Sequence, residues 1–303
     1  MLKQLLTLCL LICFDASAQQ VSQGELRIYP DFTSEVIAAR TVAVWLPENY
    51  DSTKNYPVLY MHDGQMLFDA QTTWNGQEWG IDEVAQQLIN ENKIQAFIGV
   101  GVWNAGPLRH TEYFPLKPFE LLTEKVRDSI LENSGRGEEA LFKGPLQADS
   151  YLKFLTQELK PFIDQNFSTR TDAQNTFIMG SSMGGLISWY ALCEYPEIFG
   201  GAACLSTHWP GGFVFENNPI PGAFLKYLDQ NLPPPAAHKI YFDLGDATLD
   251  IHYPPLQQQV DLLMQQKGYT PTHWKTLFFP GEDHSETAWN KRLHEPLQFL
   301  LHP

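Results

Sequence analysis

Gly180, Ser182 and Gly184 set a hydroxyl between two glycines in the spacing G-x-S-x-G, inside the run from Asn175 to Leu186. Thr176 to Met179 is apolar and partly β-branched, as a buried strand is, while Leu186 to Tyr195 has helical spacing. Gly180 to Gly185 must therefore turn a strand into a helix. A serine on so sharp a turn is held in strained backbone geometry with its Oγ projecting, and only near-hydrogen side chains fit beside it. The chemistry this serves is nucleophilic attack on a carbonyl. Of the two adjacent serines Ser182 has the glycines in register, because a frame centred on Ser181 puts Met179 and Met183 where glycine is needed. The helix that follows directs its N-terminal dipole and the Met183 N–H toward an oxyanion formed there.

Such a serine needs a base, and the base needs an acid to orient it, in the chain order serine, acid, histidine. His284 follows the last predicted strand through a glycine-containing loop and precedes the final helix. His62 and His208 also follow strands, but both come before any suitable acid; His238, His252, His273, His294 and His302 lack a strand end. Three aspartates compete for the orienting role. Asp243 falls within a strand, Asp246 directly follows Gly245, and Asp250 lies far enough out to reach a neighbouring loop. Asp250 is the choice and Asp246 the second. A further oxyanion donor is expected from the loop after an early strand, where Gly64 lets the backbone approach a substrate and Gln65 supplies the N–H. No histidine and acid cluster has metal-ligand spacing, so neither a metal nor an organic cofactor is expected.

The elements that must position these residues alternate. Glu25 to Tyr29 and Thr41 to Leu46 read as a hairpin; Pro57 to Met61, Ala96 to Val102, Thr176 to Met179, Phe199 to Thr207, Lys239 to Leu244 and Trp274 to Phe279 read as strands. Helices are predicted over Asp82 to Asn92, Glu120 to Glu132, Asp149 to Asn166 with Asp149 or Ser150 as cap, Leu186 to Tyr195, Gly222 to Leu232, Pro255 to Lys267 and Glu286 to Leu301. This alternation implies an α/β fold with a mostly parallel central sheet covered by helices on both faces. Pro115 to Gln147 reads as an inserted, cap-like segment or a solvated excursion. Arg109, Glu112 and Tyr113 sit in a loop at a strand's carboxyl end, where such folds bind ligands; the competing reading is a surface Arg109–Glu112 ion pair. Trp103, Tyr113 and Trp209 are candidates to line an aromatic pocket, and His208 is a further contact candidate.

Met1 to Ala18 has the pattern of a cleavable secretory signal: Lys3, the apolar run Leu5 to Phe14, and Ala16-Ser17-Ala18. A secreted or periplasmic protein of one domain, Gln19 to Pro303, is expected, with no other stretch fit to span a membrane. Cys193 and Cys204 then remain, read as two buried thiols in preference to a disulfide. The formal charge of −15 argues against nucleic acid and anionic membrane surfaces as general partners. Composition leaves the oligomeric state open.

Tyr60 to Asp69 (Tyr-Met-His-Asp-Gly-Gln-Met-Leu-Phe-Asp), Arg109 to Tyr113, Gly180 to Gly185 and the His284 loop together resemble an esterase family of α/β-hydrolases. That family includes enterobactin-type siderophore esterases, feruloyl and acetylxylan esterases, esterase D and the mycolyltransferases, and the similarity runs over nearly all of Gln19 to Pro303. The resemblance implies an α/β-hydrolase fold, Ser182 as nucleophile, His284 as base, Gln65 and Met183 as oxyanion donors, and Asp250 as the acid. It departs from the family at Met66, where many members have asparagine, and in the Pro115 to Gln147 insertion. The expected function is hydrolysis of a small ester, carbohydrate-linked or of siderophore type, through an acyl-enzyme; acyl transfer by the same triad and a catalytically silent binding protein are the alternatives. Asp250→Asn is expected to lower kcat by orders of magnitude with little change in KM, and the same loss from Asp246→Asn instead would move the acid to that position.

Overall fold

The computed structural model describes residues 19–133 and 140–303. The signal-like segment, residues 1–18, and part of the insertion, 134–139, lie outside the described residues. Among the described residues eight strands form one sheet in the order β1-β2-β4-β3-β5-β6-β7-β8. They are β1 (Glu25–Phe32), β2 (Arg40–Leu46), β3 (Val58–His62), β4 (Ile98–Val102), β5 (Thr176–Ser181), β6 (Gly201–Leu205), β7 (Lys239–Leu244) and β8 (Trp274–Phe278). β1 and β2 pair antiparallel and β2 joins β4 antiparallel; every other pair is parallel. Strands β3 to β6 are buried on both faces, as the inner strands of a parallel sheet with helical crossovers must be. Alternation then divides the core: Val42, Val44 and Leu46 pack into one apolar cluster, Ala43 and Trp45 into the other.

The helices are α1 (Ile81–Asn90), α2 (Arg109–Tyr113), α3 (Leu116–Glu120), α4 (Glu124–Asn133), α5 (Ala148–Lys153), α6 (Lys160–Asn166), α7 (Met183–Glu194), α8 (Ile220–Asn231), α9 (Pro254–Gln266), α10 (Glu286–Arg292) and α11 (His294–Leu300). From Met183 to Cys193 every residue of α7 is buried, which suits an apolar helix packed on the middle of the sheet. Between α5 and α6 the chain continues as a π-helical turn, Phe154–Leu159, where the expectation was one regular helix; Pro161 has no N–H for the carbonyl four residues back, and the wider turn absorbs the mismatch. The predicted caps are also displaced, since Gln147 precedes α5 without a side-chain cap and Asp149 accepts instead from the Tyr190 hydroxyl at 2.6 Å. In the closing segment Pro296 cannot bond back to Arg292, and the expected single helix breaks at Leu293 into α10 and α11.

The insertion is anchored to the body at two aromatic residues, while α4 between them is exposed or half-buried. Phe114 packs against Phe119, Phe142 and Phe224 with ring centroids 5.1–5.7 Å apart, and Phe119 and Phe142 are buried. Cys193 and Cys204 are buried free thiols. Because β4 lies on one side of β3 and β5 on the other, chain direction across the sheet reverses at β3. The crevice at the carboxyl ends of β3 and β5 is where such a reversal leaves room for a ligand. Asp63 and Gly64 follow β3 there, and Ser182 follows β5.

Candidate functional site

Ser182 stands between β5 and α7 with φ 58° and ψ −120°, a conformation that is strained for a residue with a side chain. The flanking glycines are fixed by contact. A Cβ on Gly180 would lie 2.8 Å from the Gly184 carbonyl carbon, and one on Gly184 would lie 3.3 Å from His62 Cβ. The Ser182 N–H donates to Leu205 O at 2.9 Å and Ser182 O accepts from His208 N–H at 3.1 Å, which pins the turn to the end of β6. Met183 opens α7, so its N–H is among those a helix leaves without an internal acceptor.

Asp250 lies in a 3-10 turn, Thr248–His252, after β7. Its Oδ1 is 2.6 Å from His284 Nδ1, while Oδ2 accepts from the Ser206 hydroxyl at 2.6 Å and from Gly245 N–H at 2.7 Å. Burial alone would raise this carboxyl, but the His284 contact and the other donors outweigh it and hold it below the usual range. The two loops touch closely: a Cβ on Gly245 would fall 2.0 Å from Glu282 O, so only glycine lets the loop after β7 meet the loop that carries His284. Asp246 caps the Gly281 N–H at 2.6 Å, and Asp243 pairs with Arg292 at 3.0 Å. The three aspartates thus separate into a histidine partner, a loop brace and a buried counter-charge. The His284 ring meets Trp289 and Tyr253 edge-on, at 5.1 and 5.8 Å. Ser182 and His284 line one cleft of about 770 Å³ with Asp63, Gln65, Trp74, Trp103 and Trp289.

The turn after β3 is a single 3-10 turn, Gly64–Met66, whose first bond runs from Met66 N–H to Asp63 O at 2.8 Å. The Gln65 N–H therefore has no acceptor inside the turn. Gly64 is required because a Cβ there would sit 2.6 Å from Gly101 C on β4. Asp63, in left-handed backbone at φ 56°, accepts Arg109 Nε–H and Nη2–H, both at 2.7 Å, and Asn104 Nδ2–H at 2.7 Å. Burial works against the Asp63 charge, but Arg109 and Asn104 prevail and keep its carboxyl below the ordinary range. Gln19 adds its Nε2–H to the carbonyls of Gly64 and Gln65 at 3.2 and 3.1 Å.

Several contact candidates sit elsewhere. Glu112 is fully buried and bonds Arg40 through both oxygens at 2.8 Å, so neither the ligand role nor the surface pair with Arg109 describes it. Tyr113 is fully buried under the turn after β3, its hydroxyl accepting the Asp63 N–H at 3.3 Å. Trp209 is buried, stacked on Trp189, and donates to Gln257, so it serves as core packing. Trp103 lines the cleft, and Arg109 lines both it and a second cavity of about 600 Å³ that reaches Ser182 from the His110 and His208 side. His208 has both ring nitrogens engaged, Nδ1 by the Tyr253 hydroxyl and Nε2 by Gly212 O, each at 2.7 Å. Burial depresses it to about 3 and His62 likewise to about 3. The reading of the sequence missed Asp63, Asn104, Ser206 and Arg292; they are joined by contacts 41 to 86 residues apart, which no local pattern records.

This sheet, with its crevice and serine turn, is the α/β-hydrolase fold. The family described as "Putative esterase" matches residues 34–121 and 127–300, and the chain belongs to that family. It is 23% identical over 270 residues to the uncharacterized protein YbbA of Bacillus subtilis, covering 86% of this chain and 92% of that one. It is 26% identical over 199 residues to an endo-1,4-beta-xylanase/feruloyl esterase of Xylanibacter ruminicola, covering 64% of this chain and 23% of that one. Among solved structures, an IroE-like serine hydrolase from Shewanella oneidensis superposes with TM-score 0.68 at 18% identity, covering 91% of this chain and 80% of that one. Enterochelin esterase from Shigella flexneri superposes with TM-score 0.61 at 17% identity, covering 93% and 59%. At these identities the superpositions speak for the fold.

The lowered Asp63 carboxyl also fixes a stability signature. A depressed acid contributes stability in full above its unfolded value near pH 4, and that contribution is lost as pH falls through the lower folded value. The Tm difference between wild type and Asp63→Asn is therefore expected to hold at neutral pH and to shrink only below about pH 4; a difference constant down to about pH 2 would contradict the pairing.

Proposed function

We propose that the protein is a serine carboxylic-ester hydrolase acting through an acyl-enzyme. The observation that carries the reading is the 2.6 Å contact of Asp250 Oδ1 with His284 Nδ1, at a cleft that Ser182 and His284 share. With its proton held on Nδ1 by Asp250, the imidazole keeps the Nε2 lone pair for the Ser182 hydroxyl. Ser182 Oγ attacks the ester carbonyl as His284 takes its proton. The N–H groups of Gln65 and Met183 stabilise the oxyanion, and His284 returns the proton to the departing alcohol. Water, deprotonated by His284 in turn, releases the acid and restores Ser182. His62 and His208 are poor rival bases, being buried and depressed to about 3.

Relatives whose names carry feruloyl esterase and enterochelin esterase support a small ester, carbohydrate-linked or of siderophore type, and Trp103, Arg109 and His208 are the contact candidates that face a cavity. The signal-like Met1 to Ala18 supports secretion or a periplasmic site. A panel of short-acyl, long-acyl and hydroxycinnamoyl esters, assayed with wild type and Ser182→Ala, tests the reading. Hydrolysis of at least one class is expected, with kcat reduced on the order of 10⁴-fold or more by Ser182→Ala. Undiminished turnover by Ser182→Ala would reject it, and an ester formed on an added sugar in place of free acid would move it to acyl transfer.

A further inference from the structure

Asp250 is fully buried, and His284 is one of three groups that hold it. Ser206, the residue just past β6, gives it a second bond from behind the cleft. The Ser206 oxygen receives two donors, Arg292 Nη2–H at 2.7 Å and Trp289 Nε1–H at 3.1 Å. Neither of those groups can accept a hydrogen bond. A hydroxyl has one proton and two lone pairs, so with both lone pairs filled its proton must point to Asp250 Oδ2, 2.6 Å away. Arg292 is itself fixed on the sheet: it is 1% exposed and pairs with Asp243 Oδ1 at 3.0 Å, while Asp243 also accepts Ser206 N–H at 3.2 Å and the Tyr241 hydroxyl at 3.1 Å. Ser206 adopts φ 40°, left-handed backbone in which glycine would be less strained. The serine there supplies a hydroxyl that glycine would lack.

Given the esterase reading above, we infer that Ser206 and Arg292 are positioning residues of the reaction: Arg292, anchored by Asp243, and Trp289 orient the Ser206 hydroxyl so that it donates to Asp250 and fixes that carboxylate against His284. Trp289 links this relay to the substrate side, because it also lines the cleft and meets the His284 ring edge-on. The titratable and charged groups packed around the relay are His284 and Asp250 themselves, Asp243 and Tyr241 on β7, Arg292 on α10, and Tyr253 with His208 beyond the His284 ring. Removing the Ser206 hydroxyl strips a donor from the carboxylate, which leaves more of its charge to stabilise an imidazolium. The acid limb of the pH–rate profile, a property of the Asp250–His284 pair, then moves to higher pH.

The test is kcat, KM and the kcat/KM–pH profile of purified wild type, Ser206→Ala and Arg292→Lys, per active site titrated with a fluorophosphonate probe, with Ser182→Ala as control and thermal melting as a check of folding. Expected for Ser206→Ala is a loss of kcat of about tenfold or more with KM within about twofold, and an acid limb displaced upward. Arg292→Lys keeps a charge beside Asp243 but removes the Nη2 group that serves both Asp243 and the Ser206 oxygen, and is expected to fall between wild type and Ser206→Ala. A purely structural role predicts fewer active sites or a lower Tm, with kcat per site and pH profile unchanged; that result, with Ser182→Ala inactive, overturns the relay and leaves the esterase reading standing. Activity surviving in Ser182→Ala overturns both.

Discussion

An ionised carboxylate with no exposure to water persists only where donors occupy its oxygens, and Asp250 is the point at which that requirement organises this protein. Its donors come from different parts of the chain: the loop after β7 through Gly245, the end of β6 through Ser206, and the loop after β8 through His284. Each can reach it only because the parallel sheet brings the carboxyl ends of β6, β7 and β8 to one edge. The glycine at position 245 lets the last two loops touch. A shift of any one strand would leave a buried charge short of a partner, so the geometry around His284 and the register of the sheet are secured by the same bonds.

A second buried charge cluster performs the matching task on the other side of Ser182. Asp63, turned into left-handed backbone, is locked by Arg109 and Asn104. Its carbonyl closes the turn that leaves the Gln65 N–H free of internal bonding. Arg40 and Glu112 form a third pair beneath, with the Arg40 guanidinium over the rings of Tyr151 and Phe154 at 5.4 and 5.3 Å. Such pairs are a poor source of net stability, since desolvation offsets much of their attraction. Here they fix the directions of backbone at two strand ends, while the strain at Ser182, Asp63 and Ser206 is held by the apolar packing of the sheet around it.

What the sequence made legible follows the range of the interactions. The serine turn is local: its strand, glycines and helix follow one another without interruption from Thr176 to Glu194, and Ser182 could be distinguished from Ser181 by register alone. His284 and Asp250 were reachable through chain order and loop length, since each follows a recognisable strand. The partners of Arg109 and Glu112 were not. Proximity in the chain suggested that they pair with each other, whereas the fold turns Arg109 toward Asp63 and Glu112 toward Arg40, 72 residues away. Trp209 and Tyr113 illustrate the same limit, because an aromatic at a strand end packs inward or lines a cavity according to neighbours supplied by distant segments, here Trp189 and the turn after β3. The helix break at Leu293 and the π-helical turn before α6 were legible in principle, through Pro296 and Pro161.

The central claim is that Ser182 carries the acyl group during turnover. It is tested most directly by quenching the enzyme in acid during hydrolysis of a slowly released ester and mapping the trapped mass increase by peptide mass spectrometry. The account predicts an adduct equal to the acyl group on the peptide that contains residue 182, localised to that side chain. An adduct on another residue, or turnover with no covalent intermediate under conditions in which deacylation limits the rate, would contradict it.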